Sequence, residues 1–199
     1  IQYTIEAALR IFSKDRIIVS TDDNQIKEVV ENLGLHVPFL RPKELSSDTA
    51  TSYDVLLHAM DYAEKNAIDF DVVVLLQPTS PFRTHIHINE ALNLFSNDLD
   101  MIVSVKESDE NPYYSLFEED ENGLLEKSKT GAFTRRQDCP KIYCYNGATY
   151  IMNKASLLEG SITEFKKVRK YVMSPIDSLD IDTMLDWKIA QMVLDEKKS

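Results

Sequence analysis

Apolar residues along this chain switch repeatedly between helical spacing and unbroken β-branched runs. Residues 4–12 place Ile5, Ala8, Leu9 and Phe12 on one helical face, and residues 16–20 follow as a β-branched run. That run stops at Thr21-Asp22-Asp23, residue types that favour turns and helix caps. Residues 24–33 read as a second helix closed by Gly34, and residues 36–40 as a short strand before Pro42. Thr51 or Ser52 caps a helix reaching about residue 66, with Val55, Leu56, Ala59, Met60 and Ala63 on one face. Residues 72–76 are continuously apolar, as expected of a parallel strand covered on both faces. A helix over 86–95 and a strand over 101–105 follow.

The pattern then breaks. Residues 107–150 read as loops and hairpins, with a turn predicted at Glu121-Asn122-Gly123. Alternation resumes with a strand over 148–152, a short helix over 155–158, a strand over 171–173 and a last helix over 183–196. Such alternation predicts a parallel sheet with helices on both faces and right-handed crossovers. Ligands of such sheets bind beyond the C-terminal strand ends, which directs attention to residues 21–23, 77–83 and those after 173.

Composition narrows the classes. A chain of 199 residues fits one compact domain, and 43% hydrophobic with 28% charged residues argues against disorder. A formal net charge of −11 argues against a nucleic-acid partner, although local cations can still hold a small anion. No apolar run approaches the ~18 residues needed to span a bilayer, so the expectation is a cytoplasmic protein without a membrane partner. Cys139 and Cys144 match no zinc or CxxC spacing and read as reduced, packed thiols. The histidines form no metal grouping, His58 reads as a core or groove residue, and no nucleophile elbow supports a hydrolase.

Two segments carry candidate chemistry. Gln77-Pro78-Thr79-Ser80-Pro81 is a stiff polar loop after an apolar strand; it orients a polyhydroxy ligand or is simply a rigid turn. In Asp180-Ile181-Asp182 an extended backbone puts both carboxylates on one side, a spacing suited to Mg²⁺ and its bridging of polyphosphate oxygens. The rival reading is that Asp182 favours the start of the last helix by charge and capping. Arg41, Arg83, Arg135 and Arg136 fall in predicted loops, and taken singly each reads as a solvated surface residue. Arg135-Arg136-Gln137 stands out because Tyr143, Tyr145 and Tyr150 follow it.

Taken in order, five stretches resemble the CMP-sialic acid synthetase (acylneuraminate cytidylyltransferase) family. They are DRIIVSTDD at 15–23, FLRPKELSSDTATSYDVLLHA at 39–59, LLQPTSPFRT at 75–84, RRQDCPKIYCYNGATYI at 135–151 and DSLDIDTMLDWKIA at 177–190. The resemblance implies an α/β, Rossmann-like three-layer nucleotidyltransferase fold with a small hairpin-rich dimerisation extension, placed at 107–150 of a single 1–199 domain. It implies that CTP and a nine-carbon acidic sugar give a CMP-sugar and pyrophosphate with Mg²⁺ as cofactor, in a homodimer. By the same resemblance, Arg41, Ala50 and Ser52 approach the cytidine, Gln77, Thr79 and Arg136 the sugar, and Asp180 and Asp182 hold the metal. Asp180, Asp182 and Arg136 are thereby the implied catalytic set.

The sequence departs from the family pattern at Phe82 and Cys139, where leucine is usual, and both changes keep apolar character. A basic glycine loop of pattern R-x-x-S-K-G…K-N, expected ahead of the first helix, does not precede Ile1. The expectation is therefore a truncated chain with little activity of its own. The alternative is a non-catalytic binding or dimerisation module, which would have no need of Asp180 and Asp182.

Overall fold

The computed structural model describes residues 1–47 and 50–196; Asp48 and Thr49 of the second family-like stretch lie outside the described residues. Six helices and six strands follow one another along these residues. The helices are α1 (Gln2–Leu9), α2 (Asn24–Asn32), α3 (Ser52–Lys65), α4 (His85–Asn93), α5 (Lys154–Glu159) and α6 (Met184–Glu196). The strands are β1 (Val72–Leu76), β2 (Met101–Glu107), β3 (Phe117–Glu119), β4 (Leu125–Lys127), β5 (Tyr143–Asn153) and β6 (Val168–Val172).

The main sheet runs β1-β5-β2-β6. Alternation along β2 and β5 divides the core between its two faces. Met101, Val103, Val105 and Met152 pack with Leu56 and Met60 of α3 and Leu157 of α5. Ile102 and Ile151 face the other way, toward Ala91 of α4 and Leu99. Three layers result, helix over sheet over helix. A separate cluster of Ile5, Val30, Leu35 and Val37 joins α1 and α2 to residues 17–19.

The expected all-parallel sheet is corrected. Strand β2 pairs with β6 in parallel, but β5 runs antiparallel to both β1 and β2. The cause is the interruption after β2: the chain leaves the sheet at Glu107, returns at Tyr143 beside it and so makes an outsized hairpin rather than a crossover. The predicted extension therefore shrinks, because residues 143–150 belong to the sheet. Its hairpin is real: β3 pairs with β4 around Gly123, whose φ of +78° suits the predicted turn.

Four further expectations shift. Residues 16–20 and 36–40 form no strand: Arg16 ends a 3-10 turn, and the one bridge joining the two segments is parallel, between Thr21 and Leu40. There the apolar pattern reports burial of Val19 and Val37 in a common cluster, not a ladder. Strand β1 is half-buried, with Val73 and Leu75 packed on one face and Val72 and Val74 on the other as expected, but its pairing among the described residues is antiparallel, with β5 alone, rather than parallel. The strand placed at 171–173 lies earlier, as β6. Thr51, not Ser52, caps α3: its hydroxyl accepts the Asp54 N–H at 3.2 Å, and the Asp54 carboxylate accepts the Thr51 N–H at 2.9 Å.

His58 is half-buried edge-on to Phe39, with ring centroids 4.6 Å apart, as a groove residue would be. Both cysteines are free, but Cys144 is exposed, so the packed reading fails for it. Among the described residues no helix is long and apolar enough to cross a membrane.

Candidate functional site

Strands β1, β2 and β6 share one direction, so the loops after β1 and β6 emerge at the same end of the sheet. There the two predicted segments meet. Ile181 donates its backbone N–H to the Thr79 carbonyl at 3.0 Å. The Ser80 hydroxyl lies 3.5 Å from Asp180 Oδ1, the outer limit of a hydrogen bond. Asp180 is half-buried and Asp182 exposed.

The rival reading of Asp182 as a helix cap is settled by α6. Thr183 and Asp186 form that cap: Asp186 accepts the Thr183 N–H at 2.8 Å and the Thr183 hydroxyl at 2.7 Å. The Thr183 hydroxyl, with the Thr183 N–H next, holds the Asp186 carboxyl below the ordinary aspartate range. Asp182 contributes only its backbone N–H, 3.3 Å from Asp186 Oδ2, which leaves its carboxylate outside the cap.

Behind Asp180 stands an irregularity in β5. Val103 opposes Tyr150 and Val105 opposes Tyr145, so residues 146–149 bulge against Ser104 alone. Gly147 takes φ +74° there, and a Cβ on it would come within 3.3 Å of Asp180 Oδ2. Asn146 turns inward and is 5% exposed. Its Oδ1 accepts the Ser104 hydroxyl at 2.6 Å and the Ala148 N–H at 3.2 Å. Its Nδ2 donates to the Ser178 hydroxyl at 2.9 Å and approaches Met173 Sδ at 3.4 Å. Tyr150 sits half-buried on the same strand; burial, then Tyr145 and Asp180, raises its pKa.

Arg83 overturns its reading as a solvated residue, being 2% exposed. One nitrogen, Nη1, donates to the Gln77 carbonyl at 3.0 Å and to the Ala148 carbonyl at 2.8 Å. No carboxylate pairs with it among the described residues, and desolvation lowers its pKa to about 10.

The remaining residues named from sequence lie in other places. Arg41 binds Asp22 Oδ1 at 2.8 Å and Ser46 Oγ at 3.0 Å, and so braces the 42–47 loop against residues 21–23. Asp22 is held low first by its own backbone N–H and then by Arg41. Ala50 and Ser52 flank the Thr51 cap on the next turn of chain. Arg136 is out on the extension, where it pairs with Asp109 at 2.6 Å, while Arg135 forks onto Asp138 at 2.8 and 2.9 Å. The fold thus joins the Gln77–Ser80 loop to the Asp180 step, and no described hydrogen bond links Arg41 or Arg136 to them. Asn146, Gly147 and Arg83 were missed as site-building residues. A glycine inside an apolar run, here the Asn146-Gly147 pair, is the sequence signal of a bulge.

A mixed sheet between helix layers, with polar loops gathered at one end, is the Rossmann-like nucleotidyltransferase fold. The solved structure of CMP:2-keto-3-deoxy-manno-octonic acid synthetase complexed with CTP superposes with a TM-score of 0.67 at 15% identity, over 99% of this chain and 88% of that one. The sequence model of the family described as Cytidylyltransferase matches residues 1–198. The chain belongs to the cytidylyltransferase family. Post-translational flagellin modification protein B of Campylobacter coli is 32% identical over 99% of this chain and 84% of its own length. The N-acylneuraminate cytidylyltransferase of Streptococcus agalactiae serotype V is 36% identical over 93% of this chain, which spans 44% of that longer protein.

Proposed function

We propose that this chain transfers the cytidylyl group of CTP to an acylneuraminate-type nonulosonic acid. The observation that carries the reading is the joining of the Asp180 step to the Gln77–Ser80 loop, beyond the strand ends, in a member of the cytidylyltransferase family. Similarity to the N-acylneuraminate cytidylyltransferase of Streptococcus agalactiae supports the sugar class. The sugar's anomeric hydroxyl attacks the α-phosphorus of CTP. A new P–O bond forms, the α–β phosphoanhydride breaks, pyrophosphate leaves, and the hydroxyl proton passes to water.

Gln77 and Thr79 orient the sugar in this reading, Arg136 reaches its carboxylate, and Arg41, Ala50 and Ser52 flank the cytidine. Asp180 and Asp182 fit a hard cation. Both offer only oxygen donors, Asp180 has no cationic partner among the described residues, and Asp182 is outside the helix cap. No group of three or more His, Cys, Asp or Glu is gathered among the described residues, so a Mg²⁺ held by Asp180 and Asp182 would need further oxygen ligands from outside the chain. When bound, that ion neutralises charge on the phosphates. The exposed hairpin β3–β4, with Phe117, Leu124 and Leu125 uncovered, supports a homodimer built through the extension, since an isolated hairpin is marginal alone.

The test incubates the protein with CTP, Mg²⁺ and a panel of N-acetylneuraminate, legionaminate and pseudaminate, and reads pyrophosphate and CMP-sugar by mass spectrometry. CMP-sugar formation with at least one acid is the expected result, and it would set aside the sequence-based expectation of little activity. Absence of CTP turnover with every acid defeats the reading.

A further inference from the structure

We propose that Asn146 and Arg83 are positioning residues of a single buried frame, built on β5 residues 146–148, that sets the Asp180 loop and the Gln77–Ser80 loop in register. Its consequence for catalysis rests on the function proposed above; the frame itself rests on geometry alone.

Three consecutive residues of one strand reach both loops. Asn146 holds the aspartate loop from beneath, through Ser178 and Met173, two anchors that precede Asp180. Gly147 gives Asp180 its clearance, because any side chain there meets the carboxylate. Ala148 offers its carbonyl to Arg83, and the same nitrogen of Arg83 holds the carbonyl of Gln77. The aspartate loop and the sugar-side loop are thus referred to a common origin before they touch each other through Ile181 and Thr79.

The chemistry of the two side chains is chosen for this task. The Asn146 amide uses both acceptor sites and both donors, and its orientation is fixed because the Ala148 N–H can only donate, so Oδ1 must face it. An aspartate lacks the two donors, and a leucine lacks all four contacts. Arg83 is the costlier element. It is buried while Nε and Nη2 find no partner among the described residues, a condition native cores rarely tolerate. An apolar side chain would pack in that space at less cost to stability but would join neither carbonyl. What the guanidinium supplies is the link between Gln77 and Ala148.

The experiment compares wild type with Ser178→Ala, Asn146→Asp and Arg83→Lys by hydrogen exchange with mass spectrometry, alongside steady-state kinetics. Ser178→Ala removes the outer anchor without altering β5, so it stands in if Asn146→Asp does not fold. The frame predicts that amides of residues 177–183 exchange about tenfold faster in Ser178→Ala and Asn146→Asp, and amides of 77–82 in Arg83→Lys, with β2 and β5 unchanged. In each variant kcat falls while KM for CTP stays within about twofold. Unchanged loop exchange overturns the proposal, and so does a uniform rise across the sheet and helices, which marks a merely structural role. Faster loop exchange with unaltered kcat overturns the catalytic consequence. Faster loop exchange in a protein whose wild type turns over no acid supports the frame and defeats the function proposed above.

Discussion

Ile181 and Thr79 share a backbone hydrogen bond of 3.0 Å, and through it the residue between the two aspartates is fastened to the loop after β1. The step is therefore fastened to that loop at Ile181, while Asp182 also offers its backbone N–H to Asp186 of the α6 cap, 3.3 Å away. What the step and the cap each contribute can be measured separately.

Thr183→Ala should destabilise the protein by about 1 kcal/mol through loss of the α6 cap, while metal-dependent turnover persists. Asp182→Asn should do the reverse: an unchanged unfolding midpoint with Mg²⁺-dependent pyrophosphate release abolished. Titration with Mn²⁺ followed by electron paramagnetic resonance gives a second readout. Turnover surviving in Asp182→Asn would remove that residue from the metal site.

Gly147→Ala should lose both stability and activity. An alanine at φ +74° costs roughly 1–2 kcal/mol, and its methyl meets Asp180 Oδ2 at 3.3 Å. Gly123→Ala is the control: its φ of +78° brings similar strain, but its Cβ finds only Glu119 Oε1, at 3.8 Å, on the exposed hairpin. Thermal melts should show both variants shifted, and kinetics should show loss in Gly147→Ala alone.

Arg136→Ala should raise KM for the sugar more than KM for CTP and leave the melting temperature unaltered, because the Asp109 pair it breaks is solvent-exposed. Equal losses for both substrates would take Arg136 off the sugar side.

Acid should loosen the seam where β2, β6 and α5 meet. Asp100 accepts the N–H groups of Lys167 at 2.8 Å and Lys166 at 3.0 Å and the Ser156 hydroxyl at 2.8 Å. The Lys167 N–H foremost, then Ser156, lowers its pKa below the ordinary 3.8. A depressed carboxyl pKa stabilises the fold fully above the unfolded value, and that contribution fades as pH falls through the folded value. Urea midpoints taken from about pH 6 down to about pH 2 should fall for wild type, with a shallower acid limb in Asp100→Asn.

Much of this was legible in the sequence wherever one residue type at one spacing decides the outcome. The 3.6-residue period of α3, the apolar run of β1 and the turn at Gly123 are local facts and appear as read. Strand direction is not local. It depends on whether the chain crosses over the sheet or folds back beside β2, and residues 107–150 carry no signal that distinguishes the two. The apolar run at 16–20 misled for a related reason, since hydrophobicity records burial and is silent about pairing partners. The segments of Gln77, Thr79 and Asp180, which the fold brings together, stood out because polar residues at strand ends do. Arg83 and Asn146 were not, because an arginine in a loop and an asparagine before a glycine look like surface residues until their burial is seen.

The position of β5 between β1 and β2 also constrains how the chain can assemble. Strand β1 ends at Leu76, yet β5, its partner among the described residues, begins only at Tyr143, so everything from 77 to 142 must leave the ribosome before that pairing can form. The N–H and C=O groups it gives to β5 wait unpaired through that interval, and contacts this far apart in sequence are slow to form. The newborn chain is therefore most exposed to chaperones and to misassociation between the synthesis of β1 and that of β5, a vulnerable period set by strand order alone.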